Sequence, residues 1–280
     1  MRFTIPITLV LCLVVAVTAM PMARAADLTE AATKLCQDTV AALQQTAAAP
    51  LAQTLSTQAS SFLAGTDTSF VRTNHKKLAN AETWAEEPLL SGEAKLKDME
   101  VTDRMYAGQV TAKIEDGDKE FGLDGLCVYV GGTFRWLMAV VLPPEPQDAD
   151  QLAGLKAEIG AAMEQWRQTL VQGQTDQMLS ALAPDAFALA VVGPDYGFYV
   201  FSEPAEVQMM LGGGQIPGPL AVDVVKGPEG WATPLLASAR YEWKFGVADF
   251  QQIPMEVWMH LYKGEDGWRV AALCGLPPMQ

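Results

Sequence analysis

Two stretches, Phe134–Pro144 (FRWLMAVVLPP) and Trp268–Pro278 (WRVAALCGLPP), decide how this chain is organised. Aligned without a gap they lie 134 residues apart, a typical domain length. Arg135 meets Arg269, Leu142 meets Leu276, and Pro143-Pro144 meets Pro277-Pro278. An aromatic opens each stretch, a Gly-rich or Asp-Gly turn precedes each, and each closes one half of the chain. This pattern reads as a tandem duplication of one domain, each copy ending in an apolar strand stopped by Pro-Pro.

Working outward, residues 1–25 read as a cleavable signal peptide. Arg2 is the basic start, Ile5–Met20 the apolar run, and Ala23-Arg24-Ala25 the small-x-small cleavage site. The run is shorter than the roughly 20 apolar residues a spanning helix needs, and no later segment approaches that length. The expectation is an exported protein, most simply bacterial and periplasmic, with no membrane span after cleavage. Its domains would be 26–147 and 148–280. The net charge of −14 becomes −16 without Arg2 and Arg24, shared as −7 and −9 between the halves. Two acidic halves argue against nucleic acid and anionic lipid as partners. Half of the residues are hydrophobic, ample for two cores. Three cysteines remain, Cys36, Cys127 and Cys274; Cys36 and Cys127 share the first half and are a candidate disulfide, with buried free thiols as the other reading. No Cys/His cluster suggests a metal, and no cofactor motif is present.

In the first half, Asp27-Leu-Thr-Glu30 starts a helix carrying Leu28, Leu35, Ala42 and Leu43. Pro50 opens a second helix expected to run through Leu51, Leu55, Ala59, Phe62 and Leu63 to Gly65. Thr66–Gly92 is ambiguous, read as a strand and then a short helix around Ala81–Glu87. Strands follow over Met99–Ile114, Phe121–Val130 and Phe134–Leu142, with Glu115-Asp-Gly-Asp118 and Gly131-Gly132 as hairpin turns. Glu115–Glu120 lacks the ligand spacing of a calcium loop. In the second half, Asp148 or Asp150 caps the clearest helix, with Leu152, Leu155, Ile159, Met163, Trp166 and Leu170 on one face. A short helix begins at Thr175. Strands are expected at Phe187–Val192, Phe198–Phe201, Leu220–Val225, Leu235–Phe245, Met255–Tyr262 and Trp268–Leu273, with a helix from Ser202 to Leu211 between the second and third.

That order resembles the nuclear-transport-factor-2-like superfamily, also called ketosteroid-isomerase-like or SnoaL-like. The carrying residues are the Trp166 helix, the segment from Gly173 through Thr175-Asp176 to Leu182, and the end Leu261-Tyr262-x-Gly264-x-Asp266-Gly267-Trp268-Arg269-Val270. The resemblance covers most of Asp150–Leu273. It implies an α+β fold of two tandem cone-shaped domains, each a curved antiparallel sheet wrapped around a long N-terminal helix, with a pocket at the open end. It also implies, for the enzymes of the superfamily, an acid–base group such as Asp or a His–Asp pair inside the pocket. The two histidines, His75 and His260, lie in no such motif. Asp185, Asp195 and Asp249 are candidate pocket acids, each beside Pro, Gly or a turn. The glycine run from Gly212 lacks the Lys-Ser/Thr pair of a phosphate loop, and Arg135 and Arg269 read as solvent-facing.

Alternation in Leu235–Phe245 sends Ala237, Ala239, Tyr241 and Trp243 to one face. With Met259, Met163 and Trp166 they are the candidate lining of a pocket; the competing reading is a packed core filled by Trp166. The opposite face of the next strand carries Trp258, His260 and Tyr262, a candidate domain or subunit contact through which the chain could also oligomerise. The functional expectation is therefore an exported, non-catalytic module binding a small apolar ligand, a cell-wall fragment or a protein partner. The alternative is an isomerase, dehydratase or hydrolase using a pocket carboxylate. Export has a direct check: protein made in a Gram-negative host should lose about 25 residues by intact mass, and full-length protein retained in the cytoplasm would refute it.

Overall fold

The computed structural model describes residues 25–57, 60–104, 107–184, 188–192, 198–201, 205–206, 220–247 and 253–276. Residues 1–24 of the expected leader fall outside the described residues, and its last residue, Ala25, opens the first helix. The first half contains α1 (Ala25–Leu43), α2 (Ala48–Thr54), β1 (Ser61–Gly65), β2 (Phe70–Thr73), α3 (His75–Leu78), β3 (Lys95–Asp103), β4 (Ala107–Asp116), β5 (Lys119–Val130) and β6 (Thr133–Leu142). The second contains α4 (Ala149–Val171), α5 (Thr175–Ser180), β7 (Ala188–Val192), β8 (Phe198–Phe201), β9 (Leu220–Ala232), β10 (Leu236–Val247), β11 (Ile253–Gly264) and β12 (Gly267–Leu276).

The strand orders are β2-β1-β6-β5-β4-β3 and β8-β7-β12-β11-β10-β9, the same topology twice. Each sheet is antiparallel except where β1 lies parallel to β6 and β7 parallel to β12, so the sheets are mixed rather than purely antiparallel. The duplication extends to single bonds. Ser56 N donates to Trp136 O and Ala183 N to Val270 O, both at 2.8 Å. Arg104 N donates to Ala107 O at 2.8 Å and Thr233 N to Leu236 O at 2.9 Å. The register slips between Leu126 and Cys127 in one half and between His260 and Leu261 in the other, again 134 residues apart.

Local chemistry explains most boundaries. Asp148 caps α4, accepting from Asp150 N and Gln151 N, and Gly173 follows the helix at a φ of 67° that favours glycine. Gly117, at φ 65°, closes the β4–β5 hairpin as expected. Three expectations fail. The second helix stops at Thr54; Phe62 and Leu63 belong to β1 and point to opposite sides, Phe62 into the first core and Leu63 into the seam between the domains. Burial on both faces removes the alternation that would have marked a strand. The supposed strand Met99–Ile114 is a hairpin of β3 and β4, whose turn carries no glycine to announce it. Within Thr66–Gly92 the structured pieces are β2 and α3, whereas Ala81–Glu87 is not helical.

Each long helix packs across the concave face of its sheet. In the first half, Trp136 is fully buried there and its indole N–H reaches Thr39 Oγ1 at 2.8 Å. The chain from Ala81 to Ala94 covers the end of α1: Leu89 N and Leu90 N donate to Leu43 O, Trp84 Nε1 to Gln45 O, and Trp84 and Leu90 enter the core. Cys36 and Cys127 lie in this core as free thiols, not a disulfide, and burial pushes both up, Cys127 to about 12.

The other faces of the two sheets pack on each other. One cluster joins Leu126 and Met138 to Trp258, Cys274 and Leu276; another joins Leu63, Val140 and Leu142 to Leu236, Tyr262 and Ala271. The connector is tied to the same seam, with Pro143 O accepting from Trp231 Nε1 and Glu145 accepting from Ala232 N. The buried Thr39–Trp136 bond gives a prediction. Thr39→Val keeps shape but strands the indole N–H, so denaturant unfolding should show a loss of about 1–3 kcal/mol.

Candidate ligand site in the second domain

On α4, Gly160, Met163, Glu164 and Arg167 fall at the 0, 3, 4 and 7 spacing of one helix face. Opposite them stand Tyr241 and Trp243 from β10 and Val224 from β9. Between them lies a cavity of about 200 Å³. Its apolar wall is Met163, Val224 and Trp243; Trp243 lies 5.6 Å from Tyr241 and 6.0 Å from Trp166, ring centre to ring centre.

Two polar features give the cavity its chemistry. Arg167 grips Glu164 with Nε at 2.7 Å and Nη2 at 2.6 Å, while its Nη1 donates to Val222 O. Gln168 donates to Glu164 as well. These hydrogen bonds, Arg167 first, hold the Glu164 carboxyl down at about 2. The second feature is the Tyr241 phenol. It is 5% exposed, and its hydroxyl has no hydrogen-bond partner in the protein. Burial, with the Glu164 charge second, pushes it above the usual phenol range, so it stays a neutral donor.

The first half shows why one domain has this equipment. By register, Ala112 faces Leu123 as Tyr241 faces Val257, and Ile114 faces Phe121 as Trp243 faces Met255. The first repeat therefore carries alanine and isoleucine where the second carries the two aromatics.

Of the six residues expected to line a pocket, Met163, Tyr241 and Trp243 do so. All six belong to the packed core of the domain, and Trp166, Ala239 and Met259 do not reach the cavity; Trp166 donates to Met178 O at 3.3 Å. The competing reading thus holds for that part of the site: Trp166 fills the space between α4 and the sheet. Sequence reasoning missed Gly160, Glu164, Arg167 and Val224. The α4 residues were legible only as a second helix face, beside the apolar stripe. Trp258, His260 and Tyr262 are buried between the two sheets of one chain. Asp185, Asp195, Asp249 and the Gly212 run lie outside the described residues. Arg269 donates to Ser180 O and Asp266, fastening α5 to the β11–β12 turn. His75 sits at the start of α3, its backbone N–H bonded to Ser60. Among the described residues no group of His, Cys, Asp or Glu could hold a metal ion, and no helix is long and apolar enough to cross a membrane.

Both halves lay a long helix across a six-stranded sheet of the same strand order. No family model matches the chain, and no curated protein matches it in sequence. Similar solved structures include a nuclear-transport-factor-2-like protein of unknown function from Pseudomonas putida. It is 17% identical with a TM-score of 0.40, over 46% of this chain and 89% of that one. A second such protein, from Shewanella baltica, is 13% identical with a TM-score of 0.35, over 48% and 100%. A protein of cystatin-like fold from Nostoc punctiforme is 14% identical with a TM-score of 0.37, over 48% and 96%.

Glu164 supplies a signed test. Its folded value lies below its unfolded one, so its contribution is complete above about pH 4.5 and fades as pH falls toward 2. The side chain is half exposed, which limits that contribution to about 1 kcal/mol or less. Glu164→Gln should remove that part of the acid limb in stability measured from pH 6 to 2, leaving the rest of the curve unchanged.

Proposed function

We propose that the protein is an exported, non-catalytic binding module whose second domain holds a small, uncharged, mostly apolar ligand. The observation that carries this reading is the state of Glu164. Among the described residues it is the single carboxylate lining the cavity, and it is locked to Arg167 and Gln168 well below the carboxylate range. A general base works best with a value near the operating pH, so this carboxylate is a poor proton acceptor. The Glu164–Arg167 pair is already neutralised within itself, which favours an uncharged occupant. The Tyr241 hydroxyl then supplies one directional contact, donating to a carbonyl or ether oxygen of the ligand.

Size narrows the class. A dry cavity of roughly 150 Å³ takes up benzene. One of about 200 Å³ fits a single ring with a short substituent, not a lipid chain or a fused-ring system. Export rests on Arg2, the apolar run Ile5–Met20 and the Ala23–Ala25 site.

Calorimetry and tryptophan quenching with acetophenone, a neutral ring bearing a carbonyl, test the reading, with benzoate as the charged counterpart. Acetophenone should bind and raise the melting temperature, and benzoate should bind at least tenfold more weakly. Gly160→Leu fills the cavity from the α4 side and should abolish binding while leaving the fold intact. Binding that survives this change, or no binding of neutral ring probes to the folded protein, would overturn the assignment. Turnover of a probe carbonyl would favour the enzyme alternative.

A further inference from the structure

The seam between the two sheets holds a histidine that makes no hydrogen bond. His260, on β11, is 0% exposed, and neither ring nitrogen has a partner in the protein. Its cross-strand neighbours are Ser238 on β10 and Ala272 on β12, and Trp258 stands edge-on at 6.1 Å. Beside it runs the polar contact that joins the domains. Asp124 of β5 accepts from Thr111 at 3.0 Å within its own domain, and from Ser238 and Arg240 across the seam, Arg240 at 3.1 Å. The Arg240 guanidinium lies 4.5 Å over the Trp258 ring. A second ion pair, Arg104 to Glu256, also crosses from one domain to the other.

The charged groups of the seam are therefore Arg240 and Glu256 from the second domain, and Asp124 and Arg104 from the first. Arg72 of β2 adds a third cation, 4.5 Å over Tyr262. The other buried titratable groups are Tyr262 and Cys274, the latter kept as a neutral thiol by burial. A proton on His260 would add a further cation, with no acceptor, in a place closed to water.

We propose that the seam is a proton-operated latch, which holds the two domains together while His260 is neutral and opens when His260 takes up a proton. Burial, and after it the Arg240 charge, lowers the His260 value to about 3 in the closed form. In an open form the ring meets water and returns to about 6.5. Above about pH 6.5 the ring is neutral in both forms and the latch is at full strength. Between there and about 3, acid favours the open form by up to about tenfold per pH unit. Asp124 works against this, because burial raises its value and the closed form takes up its proton more readily. Acid opening is thus to be laid on His260 and not on the bridging carboxylate.

Three free cysteines report on two interiors separately: Cys274 in the seam, Cys36 and Cys127 in the first core. Labelling the whole mature protein with 4,4′-dithiodipyridine from pH 8 to 4, each rate divided by that of free cysteine, should show Cys274 gaining up to about tenfold per unit below pH 6.5. Cys36 and Cys127 should stay protected. His260→Gln, which carries no titrating ring, should flatten the Cys274 profile. An unchanged profile in that variant, or equal labelling of all three thiols, would overturn the latch. If the variant does not fold, histidine NMR of the wild type decides, because the chain has only two histidines and His75 is the reference. A His260 ring that shifts only as Cys274 becomes reactive supports the latch. A ring that titrates near 6.5 while Cys274 stays protected sinks it.

Discussion

The central strands of each sheet are apolar on both faces, and that constraint organises everything else. Residues Leu137–Leu142 of β6 and Val270–Leu276 of β12 are apolar with scarcely a break, because successive side chains serve different interiors. Ala139 and Val141 enter the first helix-covered core, whereas Val140 and Leu142 enter the seam. A half taken alone would leave the seam side exposed, a contiguous apolar surface of the kind soluble monomers avoid. The second copy covers it. Duplication here supplies a partner for a face that one domain cannot satisfy.

Once the faces are paired, the copies are free to differ on the side away from the seam. The first copy spends its concave face on packing. Trp136, Phe62 and Leu55 are fully buried, and the chain from Ala81 to Ala94 closes over the end of α1. The second copy places Tyr241 and Trp243 at the registers where the first has Ala112 and Ile114, and keeps a cavity beside them. The asymmetry leaves one concave face filled by packing and the other with a cavity.

The fold was legible where one physical signal acted alone. The α4 stripe, the Asp148 cap and the Asp-Gly hairpin each have a single cause and appear where the pattern puts them. Signals failed where two causes overlapped. Phe62 and Leu63 read as helix because both are buried, one in each interior. The β3–β4 turn was silent because no glycine marks it. The outward face of β11 was legible as an alternating aromatic row, but not that its partner is the same chain. The cavity was half legible: alternation gave Tyr241 and Trp243, while Glu164 and Arg167 lay on a helix face whose polarity looked like ordinary solvent exposure. Nothing local shows that Trp166 would fill the space assigned to a ligand; that depends on how closely α4 approaches β10.

Apolar contact between two broad sheets fixes their separation better than their register, since it has little directional preference. The polar groups of the seam supply the direction. Asp124 has one geometry in which Ser238, Arg240 and Thr111 can all reach it, and Arg104 has one in which it meets both Gln109 and Glu256. Buried ion pairs add little net stability, because desolvation offsets the attraction. Sliding one sheet across the other would nonetheless strand a buried carboxylate and a buried guanidinium at once. The seam therefore trades some stability for one alignment of the two domains, and its burial, with the Arg240 charge second, is what disfavours a proton on His260.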